Sequence, residues 1–276
     1  MRLHAGVSED PGTVGVMSAQ RLDAALAERG IFPSRTAAAA SIRAGEVQVG
    51  VDGPFALKPS HLVEADTKLI VTERARYASR GGIKLQNALD ELGIDVTGRD
   101  CIDVGASTGG FTDCLLQGGA ARVIALDVSY GQLDQRLAED PRVTVLDRTN
   151  GREISPRDLP FEPHLAIVDV SFISLIKVLP AVVSCLPDDG ELLAMVKPQF
   201  EVGRHRSKGG IVRSAADRRE AIVSVARCAE KIGLTIRGMA YSGLPGPKGN
   251  RETFVWGARS GPGVDDLDAA ALRVEP

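Results

Sequence analysis

A short apolar run, a glycine-rich turn and a second apolar stretch follow one another in residues 101–120, which read CIDVGASTGGFTDCLLQGGA. The apolar run ends in an acid, Asp103, and the stretch after the turn has the hydrophobic spacing of a helix. A strand, a tight turn and a helix in this order are typical of open α/β sheets, which bind ligands at the carboxyl ends of their strands. The segment therefore predicts an α/β protein with a ligand held at this turn.

The glycine spacing limits what that ligand can be. A dinucleotide fingerprint needs G-x-G-x-x-G, but Ser107 occupies the position of its second glycine. A triphosphate-binding loop needs a lysine after its last glycine, and Phe111 follows Gly110 instead. Residues 105–109 do fit G-x-S-x-G, so a serine hydrolase with Ser107 as nucleophile stays open, although that motif also needs a later acid and histidine.

Acids at the ends of successive apolar runs favour S-adenosylmethionine as the ligand. Besides Asp103, Asp127 ends the run in ARVIALDVS and Asp147 ends the run in RVTVLDRTN. An acid about twenty residues past a glycine turn is placed to bind ribose hydroxyls, and Asp147 could accept a hydrogen bond from an adenine amino group. The alternative is that each acid only caps a turn or a helix. The predicted cofactor-binding residues are Asp103, Gly105, Ala106, Ser107, Thr108, Gly109, Gly110, Phe111, Asp127, Asp147 and Asp169.

From residue 100 onward, apolar runs alternate with helical stretches, which predicts a doubly wound parallel sheet. The predicted strands are 100–104, 122–127, 143–146, 164–169 and 190–196, followed by a closing antiparallel hairpin, 234–241 and 251–258. The fold class is therefore α/β, a Rossmann-like sheet preceded by a small α+β domain.

Two helices, 19–29 and 35–44, are predicted ahead of the sheet, and the short strands EVQVGVDG and TKLIVTE follow them. Helix, turn, helix and strand in this order resemble the RNA-binding domain named after ribosomal protein S-four, and the residues that carry the resemblance are Arg21-Leu22-Asp23, Ser34-Arg35, Ile42, Gly45 and Val47. Arginine suits an RNA backbone because its planar guanidinium donates two hydrogen bonds to one phosphate. The resemblance implies that RNA is contacted by Arg21, Arg35 and Arg43.

Charge divides the chain in the same way. The whole chain has a net charge of −3, but residues 17–84 hold 10 Lys and Arg against 7 Asp and Glu. A basic front portion ahead of an acidic remainder indicates an anionic partner for the front portion, and Arg80, in its basic segment 74–84, continues the predicted RNA contact toward the catalytic domain. The predicted organisation is a disordered leader (1–16), the RNA-binding domain (17–73), a basic linker with a two-glycine hinge (74–84), the catalytic domain (85–262) and a flexible tail (263–276).

Two lysines and two acids are the candidates for the chemistry. Lys84 in SRGGIKL begins a predicted helix, Asp169 in AIVDVSFISL and Lys197 in LLAMVKPQFE end predicted strands, and Glu252 in GNRETF opens the last strand. Such a set does not suit hydride transfer or metal binding, but it suits activation of a hydroxyl group for attack on an electrophile. In this order the four residues resemble the catalytic tetrad of FtsJ-type ribose 2′-O-methyltransferases. Together with the front domain and the motifs DVGASTGGFTD and LPGPKGN, the chain resembles the TlyA family of rRNA methyltransferases, whose members are also called hemolysins.

This resemblance implies a class I methyltransferase sheet and S-adenosylmethionine-dependent 2′-O-methylation of cytidine in 16S rRNA, 23S rRNA or both. The expected partner is rRNA within ribosomal subunits of the cytoplasm. Lys197 is the predicted base, with Asp169 orienting it; Lys84 is a second cation, and Glu252 fixes Lys84 or the ribose. Phe172 and Phe200 follow Asp169 and Lys197 closely, and two roles stay open for them: stacking on a ligand in the pocket or packing in the core.

Three other functions remain as alternatives. They are the Ser107 hydrolase, a membrane-lytic hemolysin and an RNA-binding module without activity. No apolar run approaches the roughly 20 residues that span a bilayer, so no stable membrane association is predicted. The four cysteines form no C-x-x-C pair, so no metal site is predicted either.

Overall fold

The structure is a computed structural model that describes residues 19–276 except 52, 54–55, 57, 72–76, 204 and 247. The chain divides into two compact units, Met1–Ala75 and Arg76–Pro276. The predicted leader, 1–16, and two arginines of the predicted linker, Arg74 and Arg76, lie outside the described residues.

The described residues of the first unit form two helices and two small antiparallel strand pairs. Its elements are β1 (Gln20–Arg21), α1 (Leu22–Glu28), α2 (Arg35–Ala44), β2 (Val47–Val49), β3 (Leu62–Val63) and β4 (Leu69–Val71), with β1 pairing β3 and β2 pairing β4. Ser34 caps α2 by accepting a hydrogen bond from the Ala37 amide (3.2 Å), and Gly45 ends the helix at φ +77°. Helix α1 begins later than predicted because the residues just before it pair with β3 instead.

The second unit is built on a seven-stranded sheet. Its strands are β5 (Asp100–Val104), β6 (Arg122–Leu126), β7 (Val143–Leu146), β8 (Leu165–Val168), β9 (Glu191–Val196), β10 (Thr235–Tyr241) and β11 (Thr253–Ala258). Their order across the sheet is β10-β11-β9-β8-β5-β6-β7, in which β11 is antiparallel to both of its neighbours and the other pairs are parallel. The predicted α/β fold class, including the closing antiparallel hairpin, is confirmed.

Helices cover both faces of this sheet. They are α3 (Gly81–Leu92), α4 (Gly110–Gln117), α5 (Gln135–Ala138), α6 (Leu179–Ser184), α7 (Pro198–Glu201), α8 (Ala215–Lys231) and α9 (Leu267–Val274). Leu85 of α3 and Leu115 of α4 pack with Phe254 on one face, whereas Ile222 of α8 and Ala271 of α9 belong to the core of the other face. The sheet is therefore buried on both sides, as its near-continuous apolar strands require.

The two glycines of the predicted hinge serve a different purpose. Gly81 and Gly82 form the first turn of α3. A Cβ atom on Gly82 would lie 2.3 Å from the Tyr77 ring, and one on Gly110 would lie 2.1 Å from Ser79 Oγ. Glycine is therefore needed there because α3 and α4 approach the chain segment before α3 too closely for a side chain.

The predicted flexible tail, 263–276, contains an ordered helix instead. The Asp266 carboxylate caps α9 by accepting from the backbone amides of Asp268 (2.8 Å) and Ala269 (3.1 Å). Ala271 is fully buried, and only 1% of Glu275 is exposed to solvent. The expectation was wrong because this helix is held by contacts with distant residues that the local sequence does not reveal.

Candidate active site

The carboxyl edge of the sheet brings the predicted site residues into one row. Val104 pairs with Leu126 of β6 on one side and with Val168 of β8 on the other. The residues that follow these three, namely Gly105, Asp127 and Asp169, therefore lie side by side just beyond the hydrogen-bonded strands. They line a cleft of about 320 Å³.

The glycine turn forms a cleft wall made of backbone. Gly105 has φ +96°, and a Cβ atom there would lie only 2.5 Å from the carbonyl oxygen of Asp169. Gly109 has φ +92° and precedes α4, and a Cβ atom there would lie 2.4 Å from Leu137 Cδ1. Both positions thus require glycine for conformation and for space, so a ligand in the cleft can approach the backbone directly.

Asp127 stabilises this turn from the neighbouring strand. Its Oδ2 accepts from the Ser107 amide and its Oδ1 accepts from the Ser129 amide, both at 2.8 Å. Asp147 ends β7 in the same manner, and its Oδ2 accepts from the Gly131 amide at 3.0 Å. Both acids therefore cap turns, as the simpler alternative expected, while Asp127 also lines the cleft.

The cleft contains some predicted cofactor residues and not others. Gly105, Ser107, Asp127 and Asp169 line it. The other predicted residues do not line it: Asp103, Ala106, Thr108, Gly109, Gly110, Phe111 and Asp147. Sequence reasoning missed Asn150, which also lines the cleft. The signal available for it was the Asn-Gly turn that follows a strand end in RTNG.

Asp103 is a buried carboxylate with an unusual environment. It is fully buried, Thr112 Oγ1 donates to its Oδ2 at 2.7 Å, and its Oδ1 has no hydrogen-bond partner among the described residues. Burial raises the pKa of Asp103 to about 7, and the nearby charges of Asp169 and Asp127 add to the increase against the Thr112 hydrogen bond. A cation bound near Asp103, Asp127 and Asp169 would therefore be stabilised by their negative charges.

Lys197 and Asp169 form an ion pair at this edge. Lys197 follows β9, and its Nζ lies 2.5 Å from Asp169 Oδ1 and donates to Ser171 Oγ at 2.8 Å. The side chains of the ion pair are 12% and 22% exposed, so they are shielded but reachable from solvent. The Lys197 amine is held by a carboxylate and a hydroxyl beside an open cleft, so it is positioned to exchange a proton with a group bound in that cleft.

Lys84 and Glu252 form a second, more deeply buried pair. Lys84 Nζ lies 2.5 Å from Glu252 Oε2, and their side chains are 9% and 1% exposed. Thr253 of β11 pairs with Val196 of β9, so the register places Glu252 opposite Lys197. All four tetrad positions therefore fall at one edge of the sheet, joined as two lysine–carboxylate pairs.

The predicted RNA-binding arginines of the first unit share one acid. Asp23 accepts from Arg21 Nε (3.0 Å) and Nη2 (2.9 Å), and from Arg35 Nη2 at 3.2 Å. The hydrogen bonds from Arg21, more than those from Arg35, lower the pKa of Asp23 to about 2. About half of each arginine side chain remains exposed. The Arg43 side chain lies outside the described part of the structure, and Arg80 belongs to the second unit, at the start of α3.

The geometry does not support the hydrolase alternative. His164 directly precedes β8, and its backbone N–H donates to the backbone carbonyl of Asp100 at the amino edge of the sheet. Ser107 follows β5 at the opposite, carboxyl edge. The other histidine after Ser107, His205, is exposed in the segment that follows α7. Among the described residues, no histidine side chain hydrogen-bonds to Ser107, so the turn has no base to activate a serine nucleophile.

Phe172 stands at the mouth of the cleft. Its backbone has φ +65°, which is uncommon for an aromatic residue, and 92% of its surface is exposed. Its ring lies 5.3 Å from the ring of Phe200, measured between centroids. An exposed aromatic residue in this backbone conformation is more typical of a ligand contact than of core packing.

Three features together define a Rossmann-like methyltransferase. The sheet is mostly parallel with an antiparallel strand inserted near one edge, the ligand turn has no phosphate-binding lysine, and lysine–carboxylate pairs lie beside that turn. Residues 77–259 match the FtsJ-like methyltransferase family, and the chain belongs to that family. Enzymes of this kind take their methyl group from S-adenosylmethionine.

Relatives and solved structures agree with this family. The chain is 45% identical, over 93% of its length and 98% of the other, to a Mycobacterium tuberculosis protein named 16S/23S rRNA (cytidine-2′-O)-methyltransferase TlyA. It is 37% identical, over 84% of its length and 97% of the other, to Hemolysin A of Brachyspira hyodysenteriae. A solved structure from Streptococcus thermophilus with a provisional hemolysin name is similar at a TM-score of 0.71 and 36% identity, covering 94% of this chain and 96% of the other.

The residues present fit S-adenosylmethionine. The glycine turn leaves backbone exposed to a ligand, Asp127 is placed at the end of the second strand, and Asp103 Oδ1 is a buried carboxylate oxygen without a donor. The cofactor carries two positive charges, on its sulfonium and its ammonium group, which suit this acidic edge. In the part of the chain that the structure describes, no helix combines the length and the apolar character that crossing a bilayer requires.

Proposed function

We propose that this protein transfers a methyl group from S-adenosylmethionine to the ribose 2′-hydroxyl of cytidine in the rRNA of ribosomal subunits. The observation that carries the proposal is the Lys197–Asp169 ion pair, which lies at the cleft with the Lys84–Glu252 pair in register beside it. The relative named as a 16S/23S rRNA (cytidine-2′-O)-methyltransferase supports the substrate class. Because its substrate is the ribosome, the proposed place of action is the cytoplasm.

Lys197 is the proposed base. A ribose hydroxyl is a weak nucleophile, so its proton must leave as its oxygen forms the new bond to carbon. When bound, the cofactor supplies a methyl carbon whose bond to the sulfonium sulfur breaks in that step. Lys197 Nζ accepts the hydroxyl proton, for which the amine must first be neutral, while Asp169 and Ser171 hold the nitrogen in place.

Lys84 and Glu252 are proposed to shape the ribose side of the site. The buried ion pair has no net charge, but the Lys84 ammonium places a cation near Lys197, which favours the neutral form of the base. Glu252 prevents Lys84 from moving toward Asp169, because its carboxylate already holds the ammonium at 2.5 Å. The two lysines thereby keep separate partners and separate functions.

The first unit is proposed to bind rRNA as a domain of the S-four type, spanning 17–73. Arg21 and Arg35 are held by one carboxylate, that of Asp23, and leave their guanidinium groups half-exposed. A pair of oriented guanidinium groups can contact phosphates without ordering long side chains first. The catalytic domain is proposed to span 85–262, with the segment 74–84, which includes Arg80, as a further RNA contact.

Isolated 30S and 50S subunits test the proposal when each is incubated with the protein and methyl-labelled S-adenosylmethionine. We expect label in the RNA of at least one subunit, recovered as 2′-O-methylcytidine after nuclease digestion. Lys197→Ala should abolish the transfer, and Lys177→Ala, which changes an exposed lysine outside the cleft, should not. Absence of label from both subunits, or label on a base instead of a ribose, would refute the assignment.

A further inference from the structure

A buried acid after the last helix is connected to the residue that precedes Glu252 in the chain. Glu275 is 1% exposed, and its Oε1 accepts from Arg218 Nη2 at 2.6 Å while its Oε2 accepts from Arg251 Nε at 2.9 Å. Arg251 also donates from Nη2 to the carbonyl of Val274 at 3.2 Å. We call these residues, Arg218, Arg251 and Glu275, the C-terminal clamp.

The clamp and the buried lysine pair hold the same strand from opposite faces. Arg251 and Glu252 immediately precede β11, and their side chains reach opposite faces of the sheet, since α3 packs on one face and α9 on the other. Glu252 binds Lys84 of α3, and Arg251 binds Glu275 after α9. The Arg251 guanidinium also lies 4.0 Å from the centre of the Tyr241 ring, which fixes it further.

The clamp reaches Asn250 by a second route. Arg218 donates to the carbonyls of Val212 (3.0 Å) and Arg213 (2.9 Å). The Val212 amide in turn donates to Asn250 Oδ1 at 2.9 Å, and Asn250 is 2% exposed. Both residues that precede Glu252 are therefore positioned by contacts that converge on the Glu275 carboxylate.

From this we infer that Glu275 is a positioning residue for the Lys84–Glu252 pair. It acts through Arg251 and Arg218, which fix the backbone from which the Glu252 side chain extends. The inference rests on the proposed function insofar as it assigns a catalytic effect to that pair. It does not require Glu275 to contact RNA or cofactor, since its carboxylate lies among α8, α9 and the start of β11.

The test compares Glu275→Gln with Asp268→Asn, a matched control in α9, the helix that Glu275 follows. Asp268 also pairs with an arginine of α8, Arg227 (3.2 Å), but both side chains are exposed and neither belongs to the clamp. We expect Glu275→Gln to lower kcat about tenfold at saturating substrates, because small displacements of a reacting group are costly. The dissociation constant for S-adenosylmethionine should stay within about twofold, because the cofactor cleft lies on other strands.

A second readout follows the buried lysine directly. In protein labelled with ¹⁵N-lysine, the ammonium resonance of Lys84, assigned from Lys84→Arg, should shift or broaden in Glu275→Gln and stay unchanged in Asp268→Asn. If Glu275→Gln folds poorly, Arg251→Gln removes the same contact from a residue that is 38% exposed and leaves the Arg218–Glu275 pair in place.

The outcomes separate this inference from the proposed function. A lower unfolding temperature with kcat and the Lys84 resonance unchanged would mean that the clamp only stabilises the helix, and would overturn the inference. A changed Lys84 resonance with kcat unchanged would overturn it as well. If even the unaltered protein methylates no rRNA, the proposed function fails, whereas the Lys84 resonance still decides whether Glu275 positions the pair.

Discussion

Breaking the Lys84–Glu252 pair should destabilise the second unit strongly. At 2.5 Å and an effective dielectric constant of about 20, two unit charges attract by roughly 7 kcal/mol. Removal of both charges from water offsets most of that attraction, so the intact pair contributes little net stability. Glu252→Gln, however, leaves the Lys84 ammonium buried without its counter-charge, which costs about 3–5 kcal/mol.

Thermal unfolding followed by circular dichroism measures this cost. For a unit of about 200 residues, each kcal/mol lowers the unfolding midpoint by roughly 2–4 °C, so Glu252→Gln should lower it by about 10 °C. The double variant Lys84→Met with Glu252→Gln should recover most of the loss, since a buried ion pair replaced by neutral groups of similar volume is nearly neutral in stability. It should nevertheless remain inactive in methyl transfer.

A matched control is the exposed Arg136–Asp134 pair, whose N–O distance is 3.0 Å and whose arginine is 71% exposed. Arg136→Met should change the midpoint by no more than about 2 °C because surface pairs are worth little. Equal effects of Arg136→Met and Glu252→Gln, or no recovery in the double variant, would show that the buried charge is not the source of the loss.

Three further predictions concern the cleft. Lys197→Ala should lower methyl transfer by about 10²–10⁴-fold while calorimetry shows nearly unchanged binding of S-adenosylmethionine; substantial remaining activity would remove Lys197 from the function of base. The pKa of Asp103 is raised to about 7, so the folded state holds a proton that the unfolded chain has already lost above about pH 4. Stability should therefore fall as pH rises from 4 to 7, by up to about 4 kcal/mol in urea titrations, and Asp103→Asn should flatten that slope. Gly105→Ala should abolish cofactor binding because its Cβ would lie 2.5 Å from the Asp169 carbonyl, whereas Gly119→Ala, with a similar φ of +91° but no neighbour closer than 3.6 Å, should bind normally.

The sheet could be predicted because its information is local. The runs around Val104, Leu126 and Val168 are apolar, short and bounded by turn residues, and each became a strand of the sheet. The carboxyl-edge site follows from the same rule, since parallel strands place the residues after them side by side. Lys197 and Asp169 were therefore expected near the turn, although their direct ion pair depends on side-chain packing that no spacing rule supplies.

The features that the sequence did not reveal all depend on distant residues. Helix α9 is short, and what holds it is the contact of Glu275 with two arginines 24 and 57 positions away. Gly82 suggested a hinge because glycine permits flexibility. The structure explains the glycine by the close Tyr77 ring, which leaves no space for a side chain at position 82. Asp23 belonged to the residues that resemble the RNA-binding domain, but nothing in the sequence indicated that its carboxylate holds Arg21 and Arg35 together. Such contacts appear only after the chain has folded.

The two edges of the sheet differ in how well their charged groups are paired. At the amino edge, Arg99 pairs with Glu191 at 3.0 Å, and the same glutamate accepts from Trp256 Nε1 at 2.7 Å, so charges there are satisfied. At the carboxyl edge, Asp103 Oδ1 has no donor among the described residues.

Backbone strain follows the same division. Among the residues that the structure describes, the non-glycine residues with positive φ are Ser107, Arg148 and Phe172, and each follows the carboxyl end of a parallel strand. Strained backbone and unsatisfied charge are costly, and they persist in proteins where a ligand or a reaction uses them. A cationic cofactor bound at this edge would relieve the excess of acids; that relief is part of its affinity, so cofactor binding should raise the free energy of unfolding by RT ln(1 + [L]/Kd).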